Sequence, residues 1–132
     1  MIKIIIADDN KIFRDGIKLL LSCYNKYELI AEASNGLELI ELIDANNLPD
    51  IILLDIFMPL MDGFKVAEII KCQYSSIKIC VLSMQVNIDT FNKMISEGVK
   101  GYILKGSASN ELEIALDEIS KNRTFISKGL LD

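Results

Sequence analysis

Histidine is absent from this sequence, and so is tryptophan. Without histidine there is no Ser-His-Asp or Cys-His nucleophile pair, no imidazole metal ligand and no phosphohistidine carrier. Cysteine occurs three times, at Cys23, Cys72 and Cys80. An odd count with no C-x-x-C pair argues against a disulfide framework or a zinc knuckle and fits a reducing, cytoplasmic setting. There are two prolines, and no linker, repeat or low-complexity tract. No apolar run approaches the ~20 residues that cross a bilayer. The apolar stretch Met1 to Ala7 meets Asp8-Asp9 too soon for a signal peptide. Basic runs are also missing: 14 Lys and Arg stand against 19 Asp and Glu, a net charge of −5. The chain by itself is therefore expected to bind neither nucleic acid nor a membrane.

What is present is enough for one core: 132 residues, 51% of them hydrophobic and 25% charged. Ile2 to Ala7 reads as a strand buried on both faces. Asn10 caps a helix carrying Phe13, Ile17, Leu20, Leu21 and Tyr24 at helical spacing. Leu29 to Ala33 is a second strand. Asn35 with Glu38 resembles a capping box and opens a helix with Leu39, Leu42 and Ile43 on one face. Ile51 to Leu54 is the most apolar strand and ends at Asp55. A loop with Pro59 and the turn pair Asp62-Gly63 leads to a third helix with Phe64, Ala67 and Ile70. Ile77 to Leu82 ends at Ser83. Asn87 caps a weaker helix with Phe91, Met94 and Ile95, closed by Gly98 in a left-handed position. Gly101 to Leu104 ends at Lys105, and Ser107 or Ser109 caps a last helix with Leu112, Ala115, Leu116 and Ile119. Arg123 to Asp132 has no clear period.

Strand and helix thus alternate five times, which predicts an α/β fold with a parallel sheet covered on both faces. A ligand site belongs at the carboxyl ends of the strands. There the sequence puts Asp8 and Asp9, Asp55, Ser83 and Lys105. Three adjacent carboxylates repel one another and raise at least one pKa. A hard cation such as Mg²⁺ relieves that conflict, taking carboxylates, waters and a phosphate oxygen. Asp55 is then a carboxylate nucleophile toward phosphorus, with Lys105 neutralising the transferred group and Ser83 donating to it. Singly, each residue reads as a cap, a turn acid or a surface charge; their coincidence at strand ends is the specific signal.

The stretches Ile6-Ala7-Asp8-Asp9-Asn10, Leu54-Asp55-Ile56-Phe57-Met58-Pro59-Leu60-Met61-Asp62-Gly63, Val81-Leu82-Ser83-Met84 and Gly98 to Lys105 resemble a response-regulator receiver domain of two-component signalling, of the NarL/FixJ type with LuxR-type output. The resemblance covers about Lys3 to Lys121. It implies a flavodoxin-like, doubly wound (βα)5 fold with five parallel strands in the order 2-1-3-4-5. It also implies a receiver domain over 1–121, with a tail at 122–132 where a linker to a DNA-binding output domain begins. Asp55 matches the phosphoacceptor, Asp9 a direct Mg²⁺ ligand, and Asp8 an acid acting through water. The carbonyl of Phe57 matches the third protein ligand. Ser83 matches the switch hydroxyl, Lys105 the phosphoryl-binding lysine and Tyr102 the rotating aromatic, expected to swing inward when Ser83 moves. The implied partners are a sensor histidine kinase and, after phosphorylation, a second copy of the chain; no turnover of a free substrate is implied.

Gly106 departs from the proline found in many receivers outside this type, and Ser83 replaces the commoner Thr. Phe57 and Gln85 flank the path of attacking water. An aspartate-nucleophile phosphatase of haloacid-dehalogenase type is the enzymatic alternative, but Phe57 stands where its second acid belongs. A flavin module conflicts with Asp8 and Asp9 beside the first strand. A stand-alone receiver without a DNA-binding output is the remaining alternative.

Overall fold

Capping side chains start four of the five helices. In the computed structural model, which describes residues 1–130, Asn10, Asn35, Asp62 and Asn87 each accept the N–H three residues on, from Phe13, Glu38, Lys65 and Thr90. Each satisfies a donor that the first helical turn leaves unpaired. The helices that follow are α1 (Lys11–Ser22), α2 (Gly36–Leu42), α3 (Gly63–Gln73) and α4 (Ile88–Ser96). α5 (Ala108–Ser120) has no side-chain cap; the chain enters it through a 3₁₀ turn at Lys105–Ser107. That differs from the expected Ser107 or Ser109 cap. Asp62-Gly63 likewise is a cap and first helical residue rather than a free turn. Glu38 does not reach back to the cap residue itself but accepts from Ser34 N at 3.3 Å. Gly98 closes α4 at φ +82°, as its position predicted.

Between the helices lie β1 (Ile2–Ala7), β2 (Tyr27–Ala33), β3 (Ile51–Asp55), β4 (Lys78–Ser83) and β5 (Gly101–Leu104). All pair in parallel, in the order β2-β1-β3-β4-β5, and β6 (Phe125–Ile126) extends the sheet beyond β5. The sheet therefore has six strands where five were expected. The tail showed no period because two residues are too few to display one. What holds β6 is backbone pairing: Phe125 N donates to Lys100 O at 2.9 Å and Ser127 N to Tyr102 O at 2.8 Å. Leu131 and Asp132, the end of the expected linker, lie outside the described residues.

The sheet separates two apolar layers. On one side Ile5, Ile52, Leu54, Ile79 and Val81 pack against Leu39, Val66, Ala67, Ile70 and Met94 from α2, α3 and α4. On the other, Ile4, Ile6, Leu53, Leu82 and Ile103 pack against Ile17, Leu21, Leu112, Leu116 and Ile119 from α1 and α5. Alternate residues of one strand thus serve opposite layers, which is why the strands read as continuous apolar runs. Burial of each large aliphatic side chain contributes about 1.5–3 kcal/mol. Register brings the strand ends level: Ala7 pairs with Leu54, Asp55 with Leu82, and Ser83 with Leu104. The residues that follow Ala7 and Leu104 therefore meet Asp55 at one edge.

Candidate functional site

That edge forms a crevice of about 340 Å³ lined by Asp9, Asn10, Phe13, Asp55, Phe57, Ser83, Gln85 and Lys105, among others. Asp8 lies beneath it, fully buried. Carboxylate oxygens of Asp8, Asp9 and Asp55 lie within 4.8 Å of one another. The side chain of Lys105, only 7% exposed, reaches Asp8 Oδ2 at 2.7 Å and Asp55 Oδ1 at 3.5 Å. Its ammonium also sits 4.6 Å from the centre of the Phe13 ring. The expected acids, hydroxyl and lysine are therefore brought together.

One lysine does not neutralise three acids. Burial pushes the Asp55 carboxyl up to about 6, and Asp8 and then Asp9 add to the rise against the opposing pull of Lys105. Asp8 Oδ2 is buried without a properly aligned hydrogen bond; its contact with Lys105 is an ion pair. A set of hard oxygen donors with excess negative charge and an under-satisfied carboxylate oxygen suits Mg²⁺. The residues present fit such an ion, with Asp9 exposed at the mouth and Asp8 and Asp55 behind it.

Backbone packing fixes Asp55 from below. A Cβ on Gly63 would come within 2.6 Å of Asp55 O and 2.8 Å of Ile56 Cα. Gly63 N also donates to Ile56 O at 2.6 Å. The glycine serves close approach of α3 to the strand end, a role hidden in a sequence where Asp-Gly reads as a turn. Phe57 is 67% exposed on the rim and stacks edge-on against Phe64, 6.1 Å between ring centres.

Ser83 and Tyr102, the residues matched to a switch pair, start from defined positions. Ser83 Oγ donates to Gln85 O at 3.0 Å and accepts from Gln85 N at 3.3 Å. It is held by its own loop rather than by Asp55. Tyr102 is already fully buried, edge-on to Phe91 at 5.1 Å; burial pushes its hydroxyl up, and Ser83 beside it opposes the rise through a contact short of full hydrogen-bond geometry. An inward swing of this ring gains no further burial here, because the ring starts inside. The space is available because Tyr102 joins the layer of Val81, Met94 and Val99.

Arg14 was not singled out from the sequence. It lies on the buried stripe of α1 with Ile17 and Leu21. Its Nη1 donates to Asp8 O at 2.5 Å and its Nε to Glu32 Oε1 at 3.0 Å. Lys18 reaches the other oxygen of Glu32 at 2.8 Å, and hydrogen bonds from Lys18 and Arg14 hold that carboxyl below its usual range. A cation at an apolar-stripe position, with an acid on the next strand, was the available signal.

These features are those of a known class, and comparison agrees. Residues 4–117 match the response regulator receiver domain; the chain belongs to that family. It is 33% identical over 131 residues to the transcriptional regulatory protein YdfI of Bacillus subtilis, covering 99% of this chain and 61% of that protein. It is 30% identical over 125 residues to the transcriptional regulatory protein DegU of Brevibacillus brevis, covering 95% of this chain and 52% of that one. The chain thus spans little more than half the length of these relatives. Among solved structures, a LuxR-family two-component response regulator from Aurantimonas sp. superposes with a TM-score of 0.91 at 26% identity, covering 98% of this chain and 91% of the other. The signal receiver domain of the response regulator NarL from Mycobacterium tuberculosis gives 0.86 at 30% identity, with 92% and 98% covered. The fold and the NarL/LuxR-type kinship expected from the sequence are thereby borne out.

Proposed function

We propose that this chain is a phosphorylation-driven switch: Asp55 accepts a phosphoryl group from a sensor histidine kinase, and the resulting change of surface controls a transcriptional output. The observation that carries this reading is the meeting of Asp55 with Asp8, Asp9, Ser83 and Lys105 in one crevice. A carboxylate oxygen of Asp55 attacks phosphorus while the bond from phosphorus to the donor imidazole breaks, its electron pair returning to nitrogen. The phosphohistidine of such a donor does not lie within these 132 residues, which hold no histidine. Asp8, Asp9, Asp55 and the carbonyl of Phe57 would hold Mg²⁺, which when bound offsets charge on the carboxylates and phosphoryl oxygens. Lys105 turns from Asp8 toward the new phosphoryl oxygens, and Ser83 exchanges its bonds with Gln85 for one of them.

Phosphorylation places nearly two negative charges in a site already crowded with acids. Movement of Ser83 is transmitted to β5 and Tyr102, then to the α4–β5–α5 surface. No substrate is turned over beyond the chain's own phosphorylation and hydrolysis. Relatives named transcriptional regulatory proteins support a transcriptional output, and a structure of two RcsB dimers bound to DNA supports self-association. No helix among the described residues is long and apolar enough to cross a membrane. Incubation with a small phosphodonor and Mg²⁺ should add one hydroxylamine-labile phosphate by intact mass. Labelling of Asp55→Asn to the same extent would overturn the reading.

A further inference from the structure

We infer that Arg14 is a positioning residue for the cation site, acting through the Asp8–Asp9 peptide; the inference rests on the receiver reading above. Arg14 is 9% exposed, one of very few buried charged residues in the described chain. Its guanidinium touches no crevice acid side chain through a hydrogen bond. It donates instead to the carbonyl oxygen of Asp8, while Glu32 of β2 fixes the other side of the fork. That carbonyl belongs to the same planar peptide as the N–H of Asp9. Holding it therefore sets the plane from which the Asp9 side chain leaves.

The rest of the turn is held as tightly. Asp8 N donates to Ala33 O at 3.0 Å, and Asp8 Oδ1 accepts from Asn10 N at 2.8 Å. Arg14 supplies the one remaining constraint, on the carbonyl. Asp9 is exposed and no hydrogen bond to its carboxylate is present among the described residues, so its aim depends on its backbone. A planar fork suits this task better than an ammonium, since two donors at fixed angles engage Glu32 and Asp8 together. Partners behind a metal ligand are typically worth roughly 10–100-fold in metal affinity.

The sign of the effect separates positioning from simple charge. If Arg14 acted only as a nearby cation, removing it would strengthen Mg²⁺ binding. Positioning predicts weaker binding. Mg²⁺ titration of the whole chain, followed by calorimetry and by the Asp9 amide resonance, is the test. Arg14→Met should bind Mg²⁺ roughly ten-fold or more weakly, with the native far-ultraviolet spectrum retained. Lys18→Met, which loses the outer contact to Glu32 and a surface pairing with Asp15 but keeps the Arg14 fork, should bind like wild type. Should Arg14→Met not fold, Arg14→Lys keeps the cation, loses the fork and should also bind more weakly. Unchanged or tighter binding by a folded Arg14 variant would overturn the inference alone. Absence of saturable Mg²⁺ binding by wild type would overturn the receiver-site reading and this inference with it.

Discussion

Lys105 lies nearer to Asp8 than to Asp55, at 2.7 Å against 3.5 Å. The ammonium is parked on the deepest acid of the crevice and leans toward the residue it would serve. Asp8 is fully buried, so the lysine is the main compensation for its charge. Lys105→Met should destabilise the metal-free protein by roughly 3 kcal/mol, because it leaves a buried carboxylate unpaired. Millimolar Mg²⁺ should recover most of the loss by taking over the compensation. Urea unfolding with and without Mg²⁺ checks both statements; an equal deficit in the two conditions contradicts the second.

Asp55 carries a pH signature. Its carboxyl is raised from 3.8 to about 6, first by burial and then by Asp8. A folded pKa above the unfolded value means that the folded state holds the extra proton. The contribution is present below about pH 4 and lost as pH rises through 6. Two units correspond to at most about 3 kcal/mol, of which roughly 1–2 kcal/mol is expected at the effective dielectric that protein sites show. Asp55→Asn should therefore exceed wild type in metal-free stability by about that much at pH 8, with little difference at pH 4. Thermal melts across this range give the comparison, and a gap independent of pH argues against it.

The Tyr102 hydroxyl gives a test of the packing around it. Its hydroxyl is buried beside Ser83, in a contact that falls short of hydrogen-bond geometry, which costs up to about 1–3 kcal/mol relative to a fully paired group. Tyr102→Phe removes the hydroxyl and keeps the ring against Phe91. It should be as stable as wild type or more stable by about 1 kcal/mol in denaturant titration. Substantial destabilisation would show that the hydroxyl has a partner in solution.

Much of this was legible in the sequence because the relevant signals are local. Asn10, Asn35 and Asn87 cap where expected, and the apolar runs at Ile4 and Ile51 end where Asp8 and Asp55 begin. Strand ends in a parallel sheet share an edge, so the crevice could be assembled without coordinates. What stayed hidden depends on contacts distant in sequence. β6 is held by the edge of β5, Gly63 is small because of the backbone of Asp55, and Arg14 is a buried cation whose acceptors lie on β2 and after β1. The state of Tyr102 follows from the packing of a whole layer, which no single stretch encodes.

Gly63 links the loop to Asp55. Gly63→Ala drives a methyl group into the backbone at Asp55 and Ile56, neither of which can rotate away. Overpacking of this kind costs about 1–3 kcal/mol. The displacement also acts on Asp55 itself, so acyl-phosphate yield should fall further than stability alone predicts. Parallel measurements of unfolding midpoint and phosphorylated mass decide this; full labelling in a destabilised protein would show that Asp55 keeps its place.

Glu111 on α5 latches the tail. Its carboxylate accepts from the hydroxyl of Ser127 and, at 3.1 Å, from Lys128 N. Ser127 is fully buried, and its N–H pairs with the carbonyl of Tyr102. The tail is therefore bound to the strand that carries Tyr102 and to the helix beside it. Glu111→Ala leaves the Ser127 hydroxyl without its acceptor, a loss of about 1–3 kcal/mol for a buried group. Only β6 depends on this contact, so the loss should appear as local opening rather than global unfolding. Amide exchange at Phe125 and Ser127 should accelerate by roughly ten-fold or more. Amides of β1 and β3 should exchange as in wild type, because their ladders lie in the middle of the sheet, separated from β6 by β4 and β5. If all strands accelerate together, β6 unfolds with the domain rather than ahead of it, and the latch is not a separable element.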